Sequence, residues 1–282
     1  MGDIEKRIKG KIEEAGIPLN KWGVSINRGI VTGLNEAFIL SGAKKNDLIR
    51  IEPKSAEIIR PILRGRDIKR YGYQFADLYL ICTFPSKNYD IEDFPAIKNH
   101  LLSFGYDRLE QSGKSINVYG KSISARKKTN NKWFETQDSI SYWDDFSKQK
   151  IMYPNMTKYL PFYLDDKGFF QNDKSFFITG SNLSFLCAFL NSSLFKYCFI
   201  NNFPELQGGT RELRKIFFDK IPVIQIQDSE NEIYKELVEE IQRKKEDGKE
   251  TENIEREIDD LIFNLYNLNN VERKAIGYII IQ

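Results

Sequence analysis

NRGIVTGLNEAFIL, residues 27–40, sets two apolar runs on either side of a polar turn, and its reading decides how the chain folds. The neighbouring stretches WGVSINRGIVTG and NEAFILSG alternate apolar and polar residues as strands do, with turns at the glycines. Glycine tolerates positive φ, so Gly33 allows a hairpin turn that Asn35 stabilises. The same residues suit a second role, in which the chain brings backbone amides and short polar side chains up against a partner.

Outward from this stretch, periodicity marks the other elements. Residues 3–15 read as a short charged helix that ends near Gly16 and Pro18. Residues 54–71, KSAEIIRPILRGRDIKRY, start helical and meet Pro61, which suits a helix start or a break. DLYLICTF (77–84) is a buried strand, and residues 94–113 have helical spacing through Ile97, Leu101, Leu102 and Leu109. SGKSINVYGKSISARKKTNNK (112–132) is polar and basic without a single acid, a loop by composition. Residues 148–180 read as strand, turn, strand around Asp166-Lys167-Gly168, and 182–203 as an apolar helix interrupted at Asn191-Ser192-Ser193. KIFFDKIPVIQI (215–226) reads as a strand with Pro222 near its start. Beyond it, Ile233, Leu237, Val238 and Ile241 share one helix face, and Ile254, Ile258, Leu261, Ile262 and Leu265 another. The EDGKETE between them makes this an antiparallel helical hairpin. The expected fold class is mixed α+β, with a lead-in over residues 1–20, a body over 21–227 and the hairpin over 228–282.

Composition narrows the chemistry. With 282 residues, 41% of them hydrophobic, the chain can bury a sizeable core. No apolar run spans a bilayer, and the charged N-terminus is unlike a signal peptide. Cys82, Cys187 and Cys198 form no C-x-x-C pair, which points to a reduced cytoplasmic protein without a zinc site. His100 is the single histidine and lies on a helical stretch. With no G-x-S-x-G elbow beside it, a Ser-His or Cys-His catalytic arrangement is disfavoured. Asp47, Glu52 and Lys54 in DLIRIEPK offer the residue types of a nuclease metal set, but cramped spacing and Pro53 make a structural role the expectation.

The net charge of +2 hides an asymmetry. Residues 228–260 carry 14 acidic and 6 basic side chains, while residues 1–227 carry a net +9. A basic body beside an acidic helical appendage is the pattern of a nucleic-acid-binding protein, and equally that of an ordinary domain with a solvated acidic helix.

The succession GIVTGLNEAFIL, IIRPILRGRDIKRY, KIMYPNMTKY, FLNSSLFKYCF, GGTRELRK, IPV and IEREIDDLIFNLYNLNNVERKAI resembles the TaqI-like specificity domain. That domain is the C-terminal target-recognition part of adenine-specific DNA methyltransferases and type IIG restriction–modification enzymes. The resemblance runs from about Lys21 to Ile276. It implies a module that selects a double-stranded DNA sequence for a methyltransferase domain, with or without a nuclease, lying upstream or in a separate subunit. The chain holds neither an N-P-P-Y-type motif nor a glycine-rich cofactor turn; its nearest string, YPNMTKY, lacks the paired prolines. The expectation is therefore an excised fragment or a separately encoded specificity subunit, non-catalytic alone. S-adenosylmethionine, and magnesium where there is a nuclease, would belong to the catalytic partner. Competing readings are a divergent endonuclease or methyltransferase with its own activity, and a protein-interaction module.

On the DNA reading, Arg28, Thr32 and Asn35 are candidates for phosphate and adenine contact. Arg64, Arg66 and Lys69 can fork onto guanine or phosphate, unless Asp67 holds one of the arginines in a structural clasp. Lys121, Arg126, Lys127, Lys128 and Lys132 form the electrostatic candidate. Gln207 can read adenine, and Thr210 can cap a helix at whose start Arg211 lies. Trp133, Tyr142 and Trp143 are expected in the core.

Overall fold

The computed structural model describes residues 2–279 apart from Tyr119 and Tyr159. Its organising element is an antiparallel sheet in the order Tyr163–Asp165, Lys150–Pro154, Ser175–Thr179, Ser25–Arg28. Successive strand side chains point to opposite faces, and here both faces are covered. Ile151, Tyr153, Leu164 and Ile178 enter one core, while Met152, Tyr163 and Phe177 enter another. That is why KIMYP reads as an almost unbroken apolar run: each of its residues is buried. The exception, Lys150, pairs across the strands with Asp165, and both side chains are fully buried. Burial lowers the Lys150 pKa, opposed by the Asp165 charge. Asp165 also accepts the backbone N–H groups of Lys167 and Phe169, so the pair leaves little polarity unsatisfied.

A second sheet follows in the order Phe170–Gln171, Ile59–Leu63, Leu78–Ile81, Ile39–Ser41. Pro61 lies inside one of its strands. Ile59, Arg60 and Pro61 pair with the strand Leu78–Ile81, whereas Ile62 and Leu63 pair with Phe170 and Gln171. The missing proline N–H thus falls where pairing passes from one neighbour to the other. The stretch before it, Pro53–Ile58, is a 3-10 helix.

Residues 27–40 do not form a hairpin. Ser25–Arg28 belongs to the first sheet and Ile39–Ser41 to the second, so the stretch is a crossover between them. Its local chemistry explains the departure. Thr32 bonds Asn35 and accepts the Leu34 N–H, which starts a short helix at Asn35–Phe38. Ala37 and Phe38 are drawn fully into the second core.

The first core is completed by helices. Leu183–Leu190 is buried throughout, and Ser193–Phe199 follows after a 63° bend, capped by Ser192. Helix Asp3–Ala15 adds Ile8 and Ile12. Helices Asp228–Glu246 and Glu252–Leu265 form the expected hairpin, and Asn270–Ile276 follows them. They bury Val238, Ile241, Ile258 and Ile262 in the same core, whereas Ile233 is 51% exposed. Among the described residues, no single helix is long and apolar enough to cross a membrane.

Two more expectations are corrected. Within residues 112–132, Ser115–Val118 and Lys121–Ser124 pair as an antiparallel hairpin, because Ile116 and Ile123 fall opposite each other. Residues 215–226 hold a short helix, Lys215–Phe218, and only a two-residue strand, Pro222–Val223, paired with Ile17–Pro18.

Candidate nucleic-acid interface

At one end of both sheets the connecting loops converge. In the first sheet Arg28 lies opposite Phe176 and Pro154 opposite Ser175, so the loops after Arg28 and Pro154 and the turn before Ser175 leave the same edge. The central piece is the turn Asn172–Lys174. On one side the N–H groups of Gly29 and Ile30 donate to Ser175 and Gln171 carbonyls. On the other, the Asn172 side-chain oxygen accepts from Gly65 N–H and from Lys174 N–H.

Two glycines make this junction possible. A Cβ on Gly29 would come within 2.0 Å of the Asn172 carbonyl oxygen, and one on Gly65 within 2.5 Å of the Lys174 carbonyl oxygen. Each follows an arginine in the sequence. The two Arg-Gly pairs therefore clamp one turn from opposite sides.

Two further segments join there. Asn155 N–H donates to the Lys174 carbonyl, and its own carbonyl accepts from Leu213 N–H. Met156–Thr157 pairs with Arg211–Glu212 as a small antiparallel ladder, which sets the Lys158 ammonium beside the Gly208 turn. Asp138 lies within the electrostatic reach of both Arg28 and Lys127, which follows the basic hairpin. Burial raises the Asp138 pKa, while the charges of Arg28 and Lys127 pull it down.

A sequence profile of the TaqI-like C-terminal specificity domain matches residues 60–223, a span that takes in most of both sheets and the converging loops other than the one after Arg28. The chain belongs to this family. The type II methyltransferase M.MjaIV of Methanocaldococcus jannaschii is 28% identical over 255 residues, a match covering 86% of this chain and 78% of that protein. Two solved structures share the fold. The type IIL restriction–modification enzyme MmeI, solved in complex with DNA, superposes with a TM-score of 0.58 at 13% identity over 92% of this chain. The type IIG restriction endonuclease BpuSI does so with a TM-score of 0.52 at 16% identity over 94%. In both, the chain spans 34% of the larger enzyme's length.

Within this specificity domain the sequence candidates separate by burial. Arg28 is exposed at the edge, held by the Asp173 carbonyl at 3.1 Å and its carboxylate at 3.5 Å. Arg66 is exposed and has no ion pair among the described residues. Lys69 is exposed and among the described residues bonds the Arg66 carbonyl alone. Lys127 and Lys128 are exposed without carboxylate partners among the described residues, and Lys132 is exposed over the Phe134 ring. Asn35 keeps its side chain at the surface while its oxygen bonds Thr32. Gln207 is exposed in the Gln207–Gly209 turn. The side chain of Lys121 lies outside the described residues.

Three candidates are withdrawn from the interface. Thr32 is 1% exposed and spends its hydroxyl on Asn35 and Leu34. Arg126 is 3% exposed; its guanidinium donates to the carbonyls of Leu109, Trp133 and Glu135 and lies over the Phe38 ring. Burial lowers its pKa to about 10. It is the post on which the basic hairpin is mounted. Arg64 is the clasp: Nε and Nη2 fork onto the Asp67 carboxylate at 2.8 and 2.9 Å. Arg211 is largely occupied too, bound to Glu205, the Phe203 carbonyl and Asn201, and Thr210 caps no helix because Arg211 begins a strand.

The sequence reading missed Lys158, Lys174 and Asn172. Each lysine follows a short strand within a few residues of an asparagine, in NMTK and QNDK, a signal indistinguishable from an ordinary turn until the two loops are brought together. Among the described residues, the buried side-chain oxygen of Asn155 has no partner, and neither atom of the buried Gln171 amide has one. Asp47, Glu52 and Lys54 do not converge. They bond Arg50, Ser55 and Asp93 respectively, and among the described residues no group of three His, Cys, Asp or Glu is placed to hold a metal. His100 is a structural residue whose Nε2 bonds the Ala37 carbonyl at 2.9 Å.

Proposed function

We propose that this specificity domain reads double-stranded DNA for an adenine-specific methyltransferase of a restriction–modification system. The observation that carries the reading is the gathering of exposed cations on one edge: Arg28, Arg66, Lys69, Lys158 and Lys174 on loops fixed by backbone bonds. Lysines and arginines held this way neutralise phosphates and release counterions, which supplies affinity. Exposed amides and guanidiniums beside them, on Asn35, Gln207 and Arg66, have the donor and acceptor pattern for base edges. The family membership and the methyltransferase relative support the same role.

In this reading the domain binds and positions, and a methyltransferase domain bearing S-adenosylmethionine does the chemistry on a flipped adenine. A magnesium-dependent nuclease domain is a further partner in enzymes of the combined type. The cytoplasm is where such an assembly meets its DNA. The body, residues 21–227, carries the contacts, and the hairpin, residues 228–282, acts as a packing and spacing element whose acidic face turns away from phosphate.

Selection from a random duplex library tests the proposal. The chain should enrich one short sequence. Arg66→Ala should relax the preference at one position, with a loss of about tenfold against the selected site. Recovery of unrelated sequences with equal affinity contradicts the reading.

A further inference from the structure

Beside the converging loops lies a cavity of about 610 Å³ between the segment Gly65–Tyr73, the loop after Pro154 and helix Asp228–Glu246. Its size falls in the range of small-ligand sites, about 300–1,000 Å³. The charge within it is uneven. Arg70 and Lys245 share the carboxylate of Glu255, and Glu246 pairs with Lys167. Arg66 and Lys69 also line the cavity and have no carboxylate partner among the described residues. One end of the cavity is therefore built for an anion.

The rest of the wall suits a flat ring. Tyr73 lines it, and the buried Tyr163 packs against Tyr73, with ring centroids 5.1 Å apart at 47°. Tyr73 is fixed from behind by the Lys167 ammonium, which bonds its hydroxyl. Ile68, Met156 and Pro161 add apolar surface. Between the two halves stands Gln242. Its oxygen accepts the Leu164 N–H at 3.2 Å, which fixes the amide's orientation, and its nitrogen has no partner among the described residues. An anion site, an aromatic wall and one oriented amide donor are the three recognition elements of a nucleotide.

We propose that this cavity binds a single nucleotide, phosphate toward Arg66 and Lys69 and base against Tyr73. The nucleotide is either free or an extrahelical residue of bound duplex; the second source rests on the DNA reading above. Calorimetric titration of the full chain with dAMP, adenosine and inorganic phosphate tests the site. One dAMP should bind, with adenosine and phosphate each at least about tenfold weaker, since each lacks one half of the contacts. Gln242→Glu keeps the acceptor for Leu164 but removes the free donor and adds a negative charge, so dAMP binding should weaken about tenfold or more. Met156→Trp, at a position 52% exposed, should fill the cavity and abolish dAMP binding without lowering Tm.

A duplex with one bulged 2-aminopurine separates the sources. A change in its emission on binding, lost in Gln242→Glu while paired-duplex affinity is kept, assigns the cavity to an extrahelical base. Binding of dAMP without that change assigns it to a free nucleotide. Duplex binding with neither signal overturns the cavity proposal and leaves the DNA reading standing. Binding of dAMP with no affinity for any duplex supports the cavity and overturns the DNA reading.

Discussion

At the scale of single residues, the junction depends on two missing side chains. Gly29→Ala forces a methyl group to 2.0 Å from a backbone oxygen, so the Asn172 turn must move. We expect a loss of about 3 kcal/mol in chemical unfolding, comparable to overpacking a core. Gly10→Ala, in helix Asp3–Ala15 with nothing near the added carbon, should instead stabilise by about 0.8 kcal/mol. Equal effects at the two sites would show that the close approach at Gly29 is absent. Arg126 and its neighbours make a second contrast. Arg126→Ala removes a buried guanidinium bound to three carbonyls and should lower Tm. Lys127→Ala with Lys128→Ala should leave Tm unchanged and lower the salt slope of duplex binding by about 2. The reverse assignment of effects would put Arg126 on the DNA. Asp259 sets a pH dependence. Burial raises its pKa from 3.8 to about 6, although Ser193 and Arg70 favour its charged form. A carboxyl with a raised folded pKa costs no stability when protonated in both states. The penalty appears as pH rises from about 4 and is complete above about 6, at roughly 3 kcal/mol. Asp259→Asn should abolish that fall in unfolding free energy; a slope that persists would place its origin elsewhere.

At the scale of elements, the hairpin is tied to the recognition segment by Arg70. Its guanidinium leaves the RGRDIKRY stretch, bonds Glu255 of helix Glu252–Leu265 and the Asn191 carbonyl, and is 9% exposed. Arg70→Ala strands Glu255, itself half-sheltered and held below its usual pKa chiefly by the Arg70 charge against burial. A loss of about 3 kcal/mol is expected in unfolding, with protection from hydrogen exchange falling first in residues 228–265. Uniform loss of protection across both cores would show no special tie. These helices were legible in the sequence because their apolar spacing is amphipathic and their caps are local. The apolar pair Leu183–Leu190 and Ser193–Phe199 was legible for the same reason, broken where Ser192 caps. The strands around residues 27–40 were misread because alternation says that a segment is extended but not which neighbour it joins. Thr32, Asn35 and Gly33 suit a hairpin and a crossover equally; Phe38, fully buried in the second core, decides. Site residues followed the same rule. Exposed lysines in a biased run stood out, whereas Arg126 looked identical to Lys127 until its burial was known. Lys158 and Lys174 are separated by a whole strand excursion, and the bond from Asn155 N–H to the Lys174 carbonyl joins their loops.

At the scale of the molecule, the fold is a doubly covered sheet beside a second sheet, with loops of both delivered to one end. Residues 1–227 carry the positive balance and residues 228–260 the negative one, and the contacts above set five cations of the first group, Arg28, Arg66, Lys69, Lys158 and Lys174, on or beside the strand-end loops. The most direct test of that arrangement is the salt dependence of duplex binding by Lys158→Ala with Lys174→Ala, beside Lys274→Ala as a control on the C-terminal helix. Each phosphate contact contributes about 0.9 to the slope of log K against log salt. The strand-end pair should lower the slope by about 2, with Tm unchanged, while the control leaves it as in the wild type. An unaltered slope in the strand-end pair would contradict the interface.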